Sequence, residues 1–192
     1  MPPIRDQTIL VIGGSSGIGY RVADRCLAEG AKVIIASSNL PHIQQSVSKL
    51  QKKYPDANIS GQGCDLSPAY VENLEKLFAS VTPLDHIVYT AGDPLSIMPI
   101  PQINLADIHK AGHGLTRNLA LDLKPLCGNL VSPGVVETPL HGHSGVTDEM
   151  KAHTTLGKVG LPEEVAEAYL YFMKDTNATG SCIDTNGGSF LV

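Results

Sequence analysis

Three glycines at fixed spacing, Gly13, Gly17 and Gly19 in VIGGSSGIGY, carry the clearest chemistry in the sequence. They fall between a β-branched apolar run (TILVI, 8–12) and a helical pattern starting at residue 17, so a strand enters a helix through a glycine turn. At such a turn Gly13 permits a tight reversal, Gly17 lets the backbone approach an anion, and Gly19 allows close packing of helix on strand. The N–H groups at the helix start, with the positive end of the helix dipole, then suit a pyrophosphate. Ser15, Ser16 and Ile18 complete a loop whose expected occupant is a dinucleotide. The competing reading is an ordinary glycine-rich turn.

Which dinucleotide depends on the end of the next apolar run, KVIIA (32–36). An acidic residue there would accept a hydrogen bond from a ribose 2′-hydroxyl and repel a 2′-phosphate. By spacing from Gly13 that place falls on Ser37, followed by Ser38 and Asn39. None is negatively charged and all can donate hydrogen bonds, which favours NADP(H) over NAD(H). No arginine or lysine stands nearby, so the expected preference is modest. The same three residues are also suited to shaping the turn and capping the following helix.

Asp93 follows YTAG (89–92) at the carboxyl end of a fourth apolar run, where ligands of open α/β sheets lie. A carboxylate there can serve as an acid or as counter-ion to a cationic substrate. It is equally a turn residue before Pro94. HGHSGVTDE (141–149) and His153 give a His-x-His, but without partner ligands or a strand context, so no metal is expected. No Gly-x-Ser-x-Gly elbow and no Cys–His signal supports hydrolase chemistry.

These residues require a parallel sheet to hold them. Strands are expected at 8–12, 32–36, within NISGQGCDL, at 86–92, at 128–134 and within GSCIDTNGG. Helices are expected at 17–30, with Gly30 as its cap, and after Pro41, with Ile43, Val47 and Leu50 on one stripe. Two more follow in PAYVENLEKLFAS, burying Val71, Leu74 and Phe78, and at 162–175, opened by Pro162. Residues 139–160 read as a polar loop with a short helix. Alternating strands and helices indicate an α/β fold with a parallel sheet.

The totals bound the rest. A chain of 192 residues with 42 % hydrophobic content fits a single domain, 1–192. A net charge of −5 without any basic run argues against nucleic acid or anionic membrane as partners and leaves a small-molecule substrate, with a homo-oligomer allowed. No apolar run reaches the roughly 20 residues of a membrane span, and the first residues lack a secretion-signal pattern. Cys26, Cys64, Cys127 and Cys182 are scattered and are expected to be buried thiols of a cytosolic protein.

The pattern Gly13, Gly17, Gly19 resembles the short-chain dehydrogenase/reductase family, whose fold is a Rossmann-type doubly wound parallel sheet. Further segments agree in order. Asp65 and Leu66 resemble the family's adenine contact, and YTAG, with Ala91 and Gly92, stands where the family has Asn-Asn-Ala-Gly. VSPGVVETPL resembles its nicotinamide loop, with Pro133, Gly134, Val136 and Thr138, the last as carboxamide partner. Ile12 and Tyr89-Thr90 depart from the common pattern. With HIVYTAGD and HGLTRNLALDLKP they resemble a fungal subgroup of secondary-metabolite pathways, some of whose members reduce or cyclise imine-type intermediates. The resemblance implies an NADP(H)-dependent oxidoreductase acting on a carbonyl or imine compound, an alkaloid precursor included.

The family's catalysis rests on Ser and on Tyr-x-x-x-Lys, and no tyrosine here has a lysine four residues on: Tyr20 meets Asp24, Tyr54 meets Asn58, Tyr70 meets Leu74, Tyr89 meets Asp93, Tyr169 meets Met173 and Tyr171 meets Asp175. Lys110 stands nearly where the family's lysine would, four residues after Ala106. In INLADIHKAGHGLTRNLALDLKP (103–125) the start of one helix meets the end of another, so one central βα unit of about 30 residues or more is missing. Right-handed crossovers place both flanking helices on one sheet face, so their remnants can fuse over roughly 104–124 and let strand four pair with 128–134 in a six-stranded sheet. Without that pairing, buried edge groups would cost about 1–3 kcal/mol each. The alternative reading is a non-catalytic cofactor-binding remnant, a cyclase scaffold or an inactive fragment.

Overall fold

The computed structural model describes residues 3–65, 72–91 and 105–191. The chain forms two compact units, Met1–Gly92 and Asp93–Val192. In the first, the elements run β1 (Thr8–Ile12), α1 (Gly17–Ala28), β2 (Lys32–Ser37), α2 (Leu40–Lys53), β3 (Ile59–Gly63), α3 (Glu72–Val81) and β4 (His86–Tyr89). The strands are parallel in the order β3-β2-β1-β4, with Ile12 beside Ala36 and Tyr89.

Period-two strands wound on both faces explain why TILVI and KVIIA are apolar throughout. Leu10, Ile12, Ala36, Cys64, Leu77 and Val81 form one cluster, which puts α3 on the Leu10 face. Ile43 of α2 packs over Gly61, in register with Ile35, on the opposite face. Each fully buried Leu, Ile or Val is worth about 1.5–3 kcal/mol, and Ile9, Leu10, Val11 and Ile35 are all at 0 % exposure. Gly30 caps α1 as the sequence implies: at φ 84° it donates to Leu27, while Ala31 donates to Cys26. Buried Asp24 on α1 accepts hydrogen bonds from Lys53 Nζ (2.7 Å) and Tyr54 Oη (2.9 Å), tying α1 to the end of α2.

The second unit holds α4 (Leu105–Asp122), β5 (Leu130–Pro133), a 3-10 helix (Pro139–Ser144), α5 (Asp148–Ala152), α6 (Pro162–Lys174) and β6 (Cys182–Thr185). β5 and β6 pair in parallel. The junction segment is one continuous helix, α4, as fusion of two helix remnants requires. Polar residues 139–160 carry two short helical turns.

Three expectations need correction. The strands form one sheet of four and one of two rather than a single sheet of six. β4 is bonded to β1 and β5 to β6. Ile87 and Tyr89 on β4 are 54 % and 60 % exposed. The α3 stripe is carried by Leu77 and Val81, with Leu74 and Phe78 only partly buried, and Val71 lies outside the described residues. Of the cysteines, all free, Cys26 and Cys64 are buried, but Cys127 is exposed in the turn after α4 and Cys182 is intermediate.

Candidate functional site

β1 delivers the chain to the glycine turn, and the neighbouring strands fix its shape. Gly13 donates to the Ala36 carbonyl at 2.8 Å, and Thr90 donates to the Ile12 carbonyl through both its N–H (2.8 Å) and its hydroxyl (3.0 Å). Gly13 sits at φ 85°, where a Cβ would meet the Ala91 nitrogen at 2.5 Å, so glycine is required twice over. Gly17 also has positive φ (53°). A Cβ on Gly19 would strike the Gly13 carbonyl oxygen at 2.5 Å and the Thr90 hydroxyl. The three glycines thus bring backbone to backbone at the start of α1. Ser16, the N-cap, makes no side-chain cap bond, and the first turn of α1 carries no acidic residue. That leaves the helix start a donor surface for an anion, which fits the phosphates of a dinucleotide.

The end of β2 meets this loop. Ser15 Oγ donates to Ser37 Oγ at 3.0 Å, and the Ser37 carbonyl accepts the Cys64 N–H at 2.8 Å. Ser38 follows, and Asn39 caps α2, its Oδ1 accepting the His42 N–H at 3.0 Å. The capping role read as the alternative for this triplet is therefore real for Asn39, whose amide nitrogen and exposed position remain compatible with a second role. Asp65 is exposed just beyond β3, and its carbonyl accepts from Asn73 Nδ2. Cys64 beside it has its thiol pKa pushed up, by burial first and by the Asp65 charge second. Ala91 stands against Gly13. Leu66, Gly92 and Asp93 lie outside the described residues.

In the second unit Pro133, Gly134, Val136 and Thr138 follow β5. Gly134 N–H donates to the Thr185 carbonyl at 3.3 Å, and a Cβ there would lie 2.8 Å from Asn186 Cα. Val136, buried, bridges to Gly160, and its carbonyl pairs with His141 Nε2 at 3.0 Å. Thr138 is the N-cap of the 3-10 helix without a side-chain cap bond. Lys110 lies in α4, where only the backbone is described.

Three tyrosines, Tyr20, Tyr169 and Tyr171, are shifted away from the acidity that proton transfer near neutral pH needs. Burial pushes the Tyr169 hydroxyl up to about 12, burial likewise raises Tyr20, and the Asp175 hydrogen bond raises Tyr171. Among the described residues no three His, Cys, Asp or Glu come together as a metal site would require. None of their helices is long and apolar enough to cross a membrane. Two contributors were not singled out from sequence as site residues. Thr90 braces the glycine turn, and Ser46 on α2 donates to the Ser15 carbonyl at 2.8 Å. Only a long-range contact marks Ser46, so no local pattern could have found it.

The sequence pattern of an SDR-like Rossmann domain matches residues 3–113 and again 106–192. The two matches overlap at the junction helix instead of running through it. A short-chain dehydrogenase/reductase, ATR9, of Stachybotrys chlorohalonatus is 37 % identical over 252 aligned positions that cover 100 % of both chains. With 192 residues on this side, 60 of those positions have no counterpart here. The short-chain dehydrogenase/reductase malC of Malbranchea aurantiaca is 31 % identical, covering 98 % of this chain and 96 % of its own. The solved MalC reductase/Diels-Alderase from that fungus superposes with a TM-score of 0.81 at 29 % identity, covering 98 % of each chain. With the glycine turn, the parallel α/β sheet and these matches together, the chain belongs to the short-chain dehydrogenase/reductase family.

Proposed function

We propose that this chain is a reductase that binds NADP(H) in preference to NAD(H) and acts on a small imine or carbonyl intermediate of fungal secondary metabolism, alkaloid precursors included, in the cytoplasm. The observation that carries the cofactor reading is the uncharged end of β2. There Ser37 accepts from Ser15 across 3.0 Å, with no carboxylate to repel a 2′-phosphate. Gly13, Ser15, Ser16, Gly17, Ile18 and Gly19 would hold the pyrophosphate, Ser37, Ser38 and Asn39 the 2′-phosphate, and Asp65, Leu66, Ala91 and Gly92 the adenosine side. Pro133, Gly134, Val136 and Thr138 would hold the nicotinamide. When bound, NADPH supplies the hydride; the protein supplies binding and orientation.

The choice of substrate follows from what is missing. Without Tyr-x-x-x-Lys the chain lacks the family's group for protonating a developing alkoxide, and such help is typically worth 10²–10⁴-fold. An iminium ion already carries its positive charge, so its reduction creates no oxyanion and needs no acid. Asp93 would then steady the cation, acting on the bound ground state as well as on the reaction. Single-turnover assays with NADPH, pairing a cyclic iminium with a matched ketone, test this reading. The iminium should react at least about 10²-fold faster, and Asp93→Asn should slow it while NADPH binding persists. Equal rates for the two substrates, or an undiminished Asp93→Asn variant, would refute it.

A second reading, a cofactor-binding scaffold that folds a substrate for cyclisation without reducing it, is favoured by the same missing residues. It draws on the relative MalC being named a reductase/Diels-Alderase. Product formation without NADPH oxidation separates the two.

A further inference from the structure

Ser46 is a polar side chain buried to 6 % exposure on the sheet-facing side of α2, beside Ile43 and Leu50. A hydroxyl in such a place needs a partner, and it has one outside its own helix. Its Oγ donates to the carbonyl of Ser15, 31 residues earlier, at 2.8 Å. Ser15 is the middle of the glycine turn, and its own hydroxyl reaches Ser37.

The peptide plane converts this contact into a statement about the nucleotide site. In a trans peptide the carbonyl of one residue and the N–H of the next point in opposite directions. Holding the Ser15 carbonyl towards α2 therefore turns the Ser16 N–H away from α2, at the N-cap of α1. Gly13 and Gly17, at φ 85° and 53°, stand on either side of this peptide, so the backbone around Ser15 and Ser16 has few side chains to fix its orientation. A flipped Ser15–Ser16 peptide would present a carbonyl dipole, instead of an N–H, to an incoming anion.

We infer that Ser46 is a positioning residue of the pyrophosphate site: its hydroxyl locks the Ser15–Ser16 peptide with the donor end towards the phosphates. The inference rests on the nucleotide-binding reading above and adds to it a residue remote from the ligand. Ser46 bonds the pyrophosphate cradle directly and reaches Ser37 only through the Ser15 hydroxyl, so its loss must be felt most by ligands carrying a pyrophosphate, whatever the 2′ substituent.

The test is calorimetric titration of wild type and Ser46→Ala with NADPH, NADH, ADP and adenosine 2′-monophosphate. One net hydrogen bond corresponds to roughly five- to tenfold in Kd. Ser46→Ala should weaken NADPH, NADH and ADP by that common factor and adenosine 2′-monophosphate by a clearly smaller one. Unchanged ADP binding overturns the inference, as does an equal loss for adenosine 2′-monophosphate, which would mark general damage to the unit. If Ser46→Ala fails to fold, Ser46→Thr keeps the donor; a folded Ser46→Thr that loses ADP affinity overturns the inference too. A wild type that binds none of the four ligands instead removes the nucleotide-binding reading itself, and the inference with it.

Discussion

The same substitution, glycine to alanine, should act with opposite signs in two helices of this protein. Within a helix the change normally stabilises by about 1 kcal/mol, because alanine loses less backbone freedom on folding. Gly114 in α4 has nothing within 4 Å of the position a Cβ would take, so Gly114→Ala should show that gain in full. Gly19 in α1 should not. Its Cβ would sit 2.5 Å from the Gly13 carbonyl oxygen and 2.9 Å from the carbon behind it, and would also meet the Thr90 hydroxyl. Neither neighbour can yield cheaply. Gly13 is pinned by its bond to Ala36, and the Thr90 hydroxyl by its bond to the Ile12 carbonyl. Overpacking of this kind costs about 1–3 kcal/mol, and a broken hydrogen bond about 1 more. Against a helix gain of about 1 kcal/mol the balance at Gly19 is destabilising by about 2 kcal/mol. For a chain of this size that lowers the midpoint of a thermal melt by roughly 4–8 °C, whereas Gly114→Ala raises it by roughly 2–4 °C. Differential scanning calorimetry of the two variants reads both shifts. Shifts of the same sign would refute the reasoning: two rises would mean the turn is not closed as described, and two falls that α4 is not a continuous helix at Gly114.

Two further outcomes follow from individual groups. Ser37→Asp should reverse the cofactor preference. Ser15 can still donate to the new carboxylate, a 2′-phosphate is repelled by roughly 1–2 kcal/mol or more at about 4 Å, and a ribose 2′-hydroxyl gains an acceptor, so the NADPH-to-NADH affinity ratio should fall by at least tenfold in paired titrations. His86 is half-buried against Gln7 Oε1 (2.9 Å), and this partial burial lowers its pKa below 6.5, with Asp85 opposing. Its folded-state pKa being depressed, the unfolded chain binds the extra proton first as pH drops. Stability is then full above pH 6.5 and lost as pH falls towards the folded-state value, so melts between pH 7.5 and 5 should be steeper for wild type than for His86→Gln.

Elements whose signals are local were legible in the sequence. TILVI, the glycine turn and the amphipathic α6 occupy the positions their patterns imply, and Gly30 takes the left-handed conformation a cap requires. The fusion of two helix remnants into α4 could be foreseen only as a strained possibility: both halves carry helical residues, but Gly112 and Gly114 near the middle cost about 1 kcal/mol each. Strand pairing was not legible. Which edges meet is decided by long-range geometry: β4 pairs with β1, and β5 pairs with β6. The choice of Leu77 and Val81 over Leu74 and Phe78 as the buried stripe of α3 depends on the rotation of that helix over Leu10 and Ile12, which periodicity alone leaves open. In the site, the glycines announced themselves through their spacing. Asn39 could be read as a cap or as a ligand contact, and its bond to His42 shows the cap. Ser46 gave no signal, since a serine facing a sheet gains meaning only from the carbonyl of Ser15 far away in sequence.

Although 60 positions of its relative ATR9 have no counterpart here, the chain should bind NADP(H) through the glycine turn of its first unit. Isothermal titration of the 192-residue protein with NADPH and with NADH measures this directly. Saturable one-to-one binding of NADPH, tighter than that of NADH, is the predicted result; tighter binding of NADH, or no binding of either, would contradict the claim.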